Sequence, residues 1–360
     1  MNVPKIRFNG FEEEWQENKL CDIARIAMGQ SPNSENYTND SNDTLLIQGN
    51  ADLNNGKVIP RLFTKQVTKT CDKNDIIMTV RAPVGDIAIS DYNACIGRGV
   101  CSIKSSKFVY HYLDYLKMKD YWKKISKGST IDSITSDDIK SLLIKTPNKK
   151  EEEKIIKTID LINKKIELQS KKIEDLKLFK KGLSTTIFNS LRDFEEYKLG
   201  KICNITTGKL DANAMIDNGK YRFYTCAKEY SLIDKYAFDT EALLISGNGA
   251  YVGYIHYYKG KFNAYQRTYV LDNFSQNIQF IKCYLEENLA KRINSEKKEG
   301  NTPYIVLSTL SDMVIKIPSK ENQIKISNII NCHNKKIELE ENKLLKLQEL
   351  KKGLMQSMFV

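Results

Sequence analysis

The chain repeats one long stretch at a distance of 171 residues, and this repeat limits its architecture more than any other feature. Ile144-Lys-Thr-Pro147 opens the first copy and Lys180-Lys-Gly-Leu183 nearly closes it. Ile315-Lys-Ile-Pro318 and Lys351-Lys-Gly-Leu354 frame the second. Asn163-Lys-Lys-Ile-Glu-Leu168 returns between them as Asn334-Lys-Lys-Ile-Glu-Leu339. Roughly 20 of about 45 paired positions are identical without a gap, far beyond chance.

Each copy predicts one long helix. After the opening proline there is no further proline, and no glycine before Gly182 or Gly353. Apolar residues alternate in steps of four and three: Ile155, Ile159, Ile162, Ile166, then Ile173, Leu176, then Leu183. The second copy reads Ile326, Ile330, His333, Ile337, then Leu344, Leu347, then Leu354. This is a heptad seam, with Gln169, Lys180, Glu340 and Lys351 as polar members. A single helix cannot bury so narrow a stripe, so the economical expectation is that the two copies pack on each other. About 40 residues at ~1.5 Å each make a rod of roughly 60 Å.

Mixed segments precede each helix. Strand-like runs at Leu45–Gln48, Ile76–Val80, Asp86–Ser90 and Gly99–Ile103 are followed by a helix-like stretch at about Phe108–Lys124. From Phe194 the pattern returns. Lys19-Leu20-x-x-Ile23 echoes as Lys198-Leu199-x-x-Ile202, Gly29 as Gly208, Val84-Gly-Asp-Ile87 as Val252-Gly-Tyr-Ile255, and Gly128-Ser-Thr130 as Gly300-Asn-Thr302. The offset drifts, as loop insertions require. The expected fold class is α+β: two mixed α/β domains joined by two long helices, with an internal pseudo-twofold repeat. The expected division is 1–147, helix 148–190, 191–318, helix 319–360.

Composition narrows the partners. Lys and Arg number 56 against 45 Asp and Glu, a net charge of +11. That favours an anionic partner, nucleic acid before membrane, because no apolar run approaches ~18 residues. The start, MNVPKIRFNGFEEEW, has no signal-peptide core, and eight scattered cysteines without a C-x-x-C pair read as reduced thiols. A cytoplasmic location is expected. No P-loop and no dinucleotide-binding glycine pattern is present. Three histidines give no metal spacing, and His333 falls on the seam, so catalysis by this chain is not expected.

These residues resemble the specificity subunit of type I restriction–modification systems over nearly the whole length. The resemblance rests on the domain–helix–domain–helix order, the I-x-x-P tracts with Glu/Gln-rich helix starts (Ile144–Glu153, Ile315–Gln323), the Lys-Lys-Gly-Leu helix ends and the opening Trp15–Gly29. The family's Pro-Pro-x-x-Glu-Gln is altered here to Pro147-Asn-Lys-Lys-Glu-Glu152 and Pro318-Ser-Lys-Glu-Asn-Gln323. The resemblance implies two target-recognition domains, each reading one half of a bipartite, asymmetric site on double-stranded DNA. It implies that the helices pair as an antiparallel coiled coil, set the spacer, and dock two DNA adenine methyltransferase (modification) subunits. Restriction/translocase subunits would join that core. S-adenosylmethionine, and ATP with Mg, would belong to those partners, and this chain would carry no cofactor and no metal.

Base reading needs side chains with paired donors and acceptors: Arg for guanine, Asn and Gln for adenine. Lys, Ser and Thr suit phosphates. The candidates in the first domain are Gln30, Ser31, Asn33, Gln48, Asn50, Arg61, Arg81 and Arg98. In the second they are Lys209, Tyr224, Lys228, Asn248, Tyr251, Gln266 and Arg267. Offsets of 169 and 168 pair Arg98 with Arg267 and Arg81 with Gly249. On that pairing the shared arginine suits a phosphate, and Arg81 is the better base reader. The rival readings are a coiled-coil scaffold with two protein-binding domains, which leaves the net charge unexplained, and an enzyme with degenerate motifs.

Overall fold

A computed structural model describes residues 3–125, 133–296 and 304–360. The echo of Gly128-Ser-Thr130 in Gly300-Asn-Thr302 lies outside the described residues. The chain separates into two compact units, Met1–Gln169 with Lys343–Val360, and Ser170–Asn342. Each unit therefore holds one mixed domain, half of the first long helix and half of the second.

The long helices span Lys149–Asn189 and Lys320–Met358. Both begin at a side-chain cap directly after the proline. Asn148 Oδ1 accepts from the Glu151 N–H at 3.0 Å, and Ser319 Oγ accepts from the Asn322 N–H at 3.4 Å. Within unit 1, Ile155 and Ile159 of the first helix join Met355 and Met358 of the second in one buried cluster. Within unit 2, Lys172 pairs with Glu340 at 3.0 Å, and Phe179 lies against His333 at 5.2 Å. As one number rises the other falls, so the segments run antiparallel. The seam residues Ile155, Ile159, Ile162, Ile173, Ile330 and Ile337 are buried. Ile166, Leu176, Leu183, Ile326, His333, Leu344, Leu347 and Leu354 are half-buried. The polar seam members are matched: Glu340 to Lys172, and Lys351 to Asp114 at 2.8 Å.

In unit 1, a six-stranded sheet runs Arg25–Met28, Val100–Lys104, Ile76–Thr79, Ile87–Ile89, Lys57–Val58, Leu53–Asn54. A five-stranded sheet runs Tyr37–Thr38, Phe63–Thr64, Thr44–Ile47, Ala94–Ile96, Thr70–Cys71. Unit 2 has one six-stranded sheet: Asn204–Thr207, Thr268–Asp272, Phe238–Ser246, Ile255–Ala264, Tyr221–Tyr224, Ser231–Ile233. Ladder register explains the difference. Ile87 pairs with Met78 as Ile255 pairs with Ile245, and Ile96 pairs with Ile47 as Ala264 pairs with Tyr224. One strand of unit 2 thus covers what two strands cover in unit 1. Gly260, at φ +130°, takes within that strand a backbone conformation that other residues rarely adopt.

The helix-like stretch expected at Phe108–Lys124 is two helices, Lys107–Met118 and Tyr121–Ile125. Asp120, at φ +53°, breaks them. The chain preceding Trp15 is tied to both long helices. Ile6 donates its N–H to Ser357 O at 3.0 Å, and Arg7 clasps Glu151. Short antiparallel ladders tie each domain's first strand to the strand that feeds its helix: Gln16–Lys19 with Leu143–Thr146, and Glu195–Lys198 with Val314–Ile317.

Aromatic plugs close both units in the same way. Phe359 packs on Phe108 and Tyr112 at 5.4 and 5.5 Å, and Phe188 packs on Phe280 and Tyr284 at 6.0 and 5.3 Å.

Candidate nucleic-acid interface

In unit 1 the candidate residues gather around the turn Gly97-Arg98-Gly99. Gly29 donates its N–H to Val100 O at 3.0 Å, and Gln30 donates to Ile96 O at 2.9 Å. A Cβ on Gly29 would stand 2.2 Å from Gly97 O, and one on Gly99 would stand 2.1 Å from Gln48 O. Only glycine permits that approach, which brings Gln30, Ser31, Gln48 and Arg98 together. Ser31 Oγ accepts from the Arg98 N–H at 3.1 Å, leaving the exposed guanidinium free to turn outward. Val80 donates to Gly99 O at 2.9 Å, which places Arg81 beside the same turn.

Carboxylates shape this cluster. Asp52, 7% exposed, accepts from the backbone N–H groups of Gln48 and Gly49 at 2.8 and 3.0 Å. Asn50 donates to Asp86, which also pairs with Lys117. Arg61 donates to Ala51 O at 2.8 Å and stands 4.0 Å from Asp52. Asn33 is held through its backbone N–H by Gln66 Oε1 at 2.9 Å. Asn50 is therefore committed to Asp86, and Arg61 to the Ala51–Asp52 turn of its own loop. Among the described residues, the guanidinium groups of Arg81 and Arg98 have no hydrogen-bond or ion-pair partner.

Unit 2 builds the corresponding tip. Gly208 donates to Thr268 O at 3.3 Å, and a Cβ on it would stand 1.8 Å from Ala264 O. Tyr265 donates to Tyr224 O, and Gly247 to Arg267 O, both at 2.9 Å. Gln266 Nε2 donates to Asp211 Oδ1 at 2.7 Å. Lys228 sits over the exposed Tyr251 ring at 5.3 Å. Lys209 is exposed near the start of this cluster.

The backbone corrects the residue pairing expected from offsets. Gly97 donates to Ile47 O as Tyr265 donates to Tyr224 O, and Val100 donates to Gly97 O as Thr268 donates to Tyr265 O. Arg98 thus corresponds to Gln266, and Arg267 to Gly99. Val80 donates to Gly99 O as Gly247 donates to Arg267 O, and accepts from Ile134 as Gly247 accepts from Ile305. Arg81 thus corresponds to Asn248 and not to Gly249. A one-residue length change in a loop is enough to mislead an alignment by shared letters. No arginine is common to both tips.

Tyr224 is a second correction. It is 2% exposed, in the core rather than on a reading surface, with Phe262 at 5.9 Å and His256 at 5.0 Å. Burial raises its phenol pKa, opposed by a hydrogen bond from Arg222 at 3.3 Å. Arg222, unremarked in the sequence, is held between the Tyr230 and Tyr258 rings at 4.3 and 4.5 Å. Burial lowers the pKa of His256, whose Nε2 donates to Ala227 O at 2.9 Å. The alternation of rings at Tyr254, His256 and Tyr258 was the available signal. Among the described residues no cluster of three or more His, Cys, Asp or Glu is placed to hold a metal ion. No helix among them is long and apolar enough to cross a membrane.

One module built twice, each copy raising a glycine-framed loop tip and each packed with a segment of both long helices, defines a duplicated scaffold. Its sequence places it further. The family model described as type I restriction modification DNA specificity domain matches residues 12–178 and 192–349, and the chain belongs to that family. It is 35% identical over 165 residues to the type I restriction enzyme EcoDI specificity subunit of Escherichia coli, covering 46% of this chain and 36% of that one. It is 36% identical over 179 residues to the putative type I restriction enzyme MjaX specificity subunit of Methanocaldococcus jannaschii, covering 48% and 42%. These matches span under half the length of those relatives. A structure of a type I restriction–modification S subunit from M. genitalium superposes with a TM-score of 0.67 at 20% identity, over 99% of both chains.

Proposed function

We propose that this chain is the DNA sequence-specificity subunit of a type I restriction–modification complex, and that each loop tip reads one half of a bipartite, asymmetric site. The observation that carries this reading is the pair of tips: the same five backbone hydrogen bonds frame both, from Gly29, Val80, Gly97, Val100 and Ile134 in one and from Gly208, Gly247, Tyr265, Thr268 and Ile305 in the other, while the side chains they raise differ. A shared frame with divergent readers suits two unlike half-sites. The net charge of +11 suits a polyanion.

The chain's role is recognition, and the chemistry belongs to partners. Two adenine methyltransferase subunits supply the S-adenosylmethionine-dependent step, and restriction/translocase subunits supply ATP-driven movement and cleavage. The first long helix offers them apolar side chains away from the seam: Leu161, Leu168 and Leu178 are 58, 54 and 71% exposed.

The test is co-expression with the methyltransferase subunits, followed by modification-sensitive sequencing of host DNA. The expected result is N6-methyladenine in one split motif, lost when this chain is deleted. A stable complex that leaves no motif would count against the reading.

A further inference from the structure

We infer that the two tips carry a paired base readout: Arg81 and Arg98 select guanines in one half-site, and Asn248 and Gln266, at the corresponding backbone positions, select adenines in the other. This rests on the specificity role proposed above and adds which residues read and which bases they take.

The correspondence is set by backbone hydrogen bonds, not by sequence similarity. Arg81 follows Val80, which donates to the tip turn and accepts from Ile134, and Asn248 follows Gly247, which donates to the tip turn and accepts from Ile305. Arg98 and Gln266 each occupy the second position of a turn closed by a 3.1 or 2.8 Å backbone bond. A DNA duplex meeting the two frames in the same pose would present a base edge to the same position in each. The side chains there fall into two chemical classes. Arg forks onto guanine O6 and N7, while Asn and Gln match the N6–H donor and N7 acceptor of adenine.

The side chains are also available. Arg81, Arg98 and Gln266 are exposed and Asn248 is half-buried. Neither arginine is neutralised by a carboxylate among the described residues. Gln266 is held by Asp211, which can only accept, so the amide nitrogen must face it. One N–H and Oε1 remain, the pair that adenine requires. Asp211 is therefore a positioning residue for Gln266.

The test uses the co-expressed complex and the same modification mapping, supplemented by binding to a library of randomised duplexes. Arg81→Lys and Arg98→Lys keep the charge but lose the fork. Each is expected to relax a guanine in one half by roughly 10- to 100-fold and to leave the other half and the salt dependence unchanged. Asn248→Ala and Gln266→Ala are expected to relax an adenine in the other half only. Asp211→Ala should weaken the same adenine as Gln266→Ala, and less. If the lysine variants keep the full motif, or if the arginines affect only the salt slope when changed to alanine, they hold phosphates and the inference is overturned. Relaxation of both halves by one variant also overturns it. A wild-type complex with no split motif defeats the specificity role itself, a result distinct from either.

Discussion

Glu151 shows how one residue can anchor a domain to its helix. It is 1% exposed, accepts from Arg7 Nε and Nη2 at 2.7 and 2.8 Å, and from Trp15 Nε1 at 3.3 Å. A carboxylate among Lys and Glu at a helix start reads from sequence as solvated, and only the fold reveals the clasp. Glu151→Gln leaves the guanidinium, itself 11% exposed, without its counter-charge. The expected loss is about 2–4 kcal/mol, read from the urea unfolding midpoint at pH 7. An unchanged midpoint would show that the clasp contributes nothing net. His111 makes the second residue-scale case. It is fully buried, its Nε2 lies 3.0 Å from Asp160 Oδ1, and its Nδ1 has no partner. Burial lowers its pKa to about 4, against the raising effect of Asp160 and Asp114. Between pH 6.5 and 4 the unfolded chain binds a proton that the folded chain refuses. Stability therefore falls as pH drops through 6.5 and levels off near 4, by about 2 kcal/mol at pH 5. His111→Phe should abolish that share of the difference between midpoints at pH 7 and pH 5, since Lys107 still holds Asp160 at 2.7 Å. A variant with the wild-type difference would move the titration elsewhere.

At the scale of elements, each long helix carries a glycine that nothing in its own unit explains. Gly182 and Gly353 lie inside helices, and an added Cβ would meet no atom within 4 Å at either. An exposed helical glycine costs about 0.5–1 kcal/mol relative to alanine. Gly182→Ala and Gly353→Ala should each raise stability by that amount in thermal melts of the isolated chain. A fall instead would mean that the helix needs the freedom glycine gives. These helices were the most legible part of the sequence, because a heptad seam is a local, repeated signal that one gap-free offset preserves. The seam also identified its polar members. Less was legible in the domains. The split of one sheet into two in unit 1 depends on whether a strand runs on, as Ile255–Ala264 does, or breaks, as at Ser90–Asn93, a choice made by pairing between distant segments. The loop tips fell between these cases. Gly29 and Gly208 were visible as an echo because both face a carbonyl too close for a side chain. The partners of Arg98 and Arg81 were misassigned because a side chain's place in a loop is counted along hydrogen bonds, which a letter match does not record. Tyr224 was placed on the surface because a tyrosine beside a turn gives no sign of which way it packs.

For the whole molecule, the repeat and the division of both helices between two units tie the lengths of the two helices to each other. Each helix passes from one unit to the other at the same point of the seam, between Gln169 and Ser170 in the first and between Asn342 and Lys343 in the second. Lys172 with Glu340, and Phe179 with His333, pair positions of constant summed number, and those two junctions satisfy the same relation. Seven residues inserted at both junctions would add one heptad to each strand of the pair and return every seam residue to its own face. Four would rotate the seam out of register. One heptad lengthens each helix by about 10 Å, the rise of about three base pairs. If the helices set the spacing between half-sites, the double insertion should lengthen the unread spacer by about three base pairs and leave both half-site sequences intact. Modification mapping reads both quantities in one experiment. An insertion at one junction only mismatches the pair and is expected to lower stability without giving a new spacer. A double insertion that folds, assembles and keeps the old spacer would show that spacing is set by the partners. Half-sites that change with the insertion would show that reading depends on the helices, not on the tips alone.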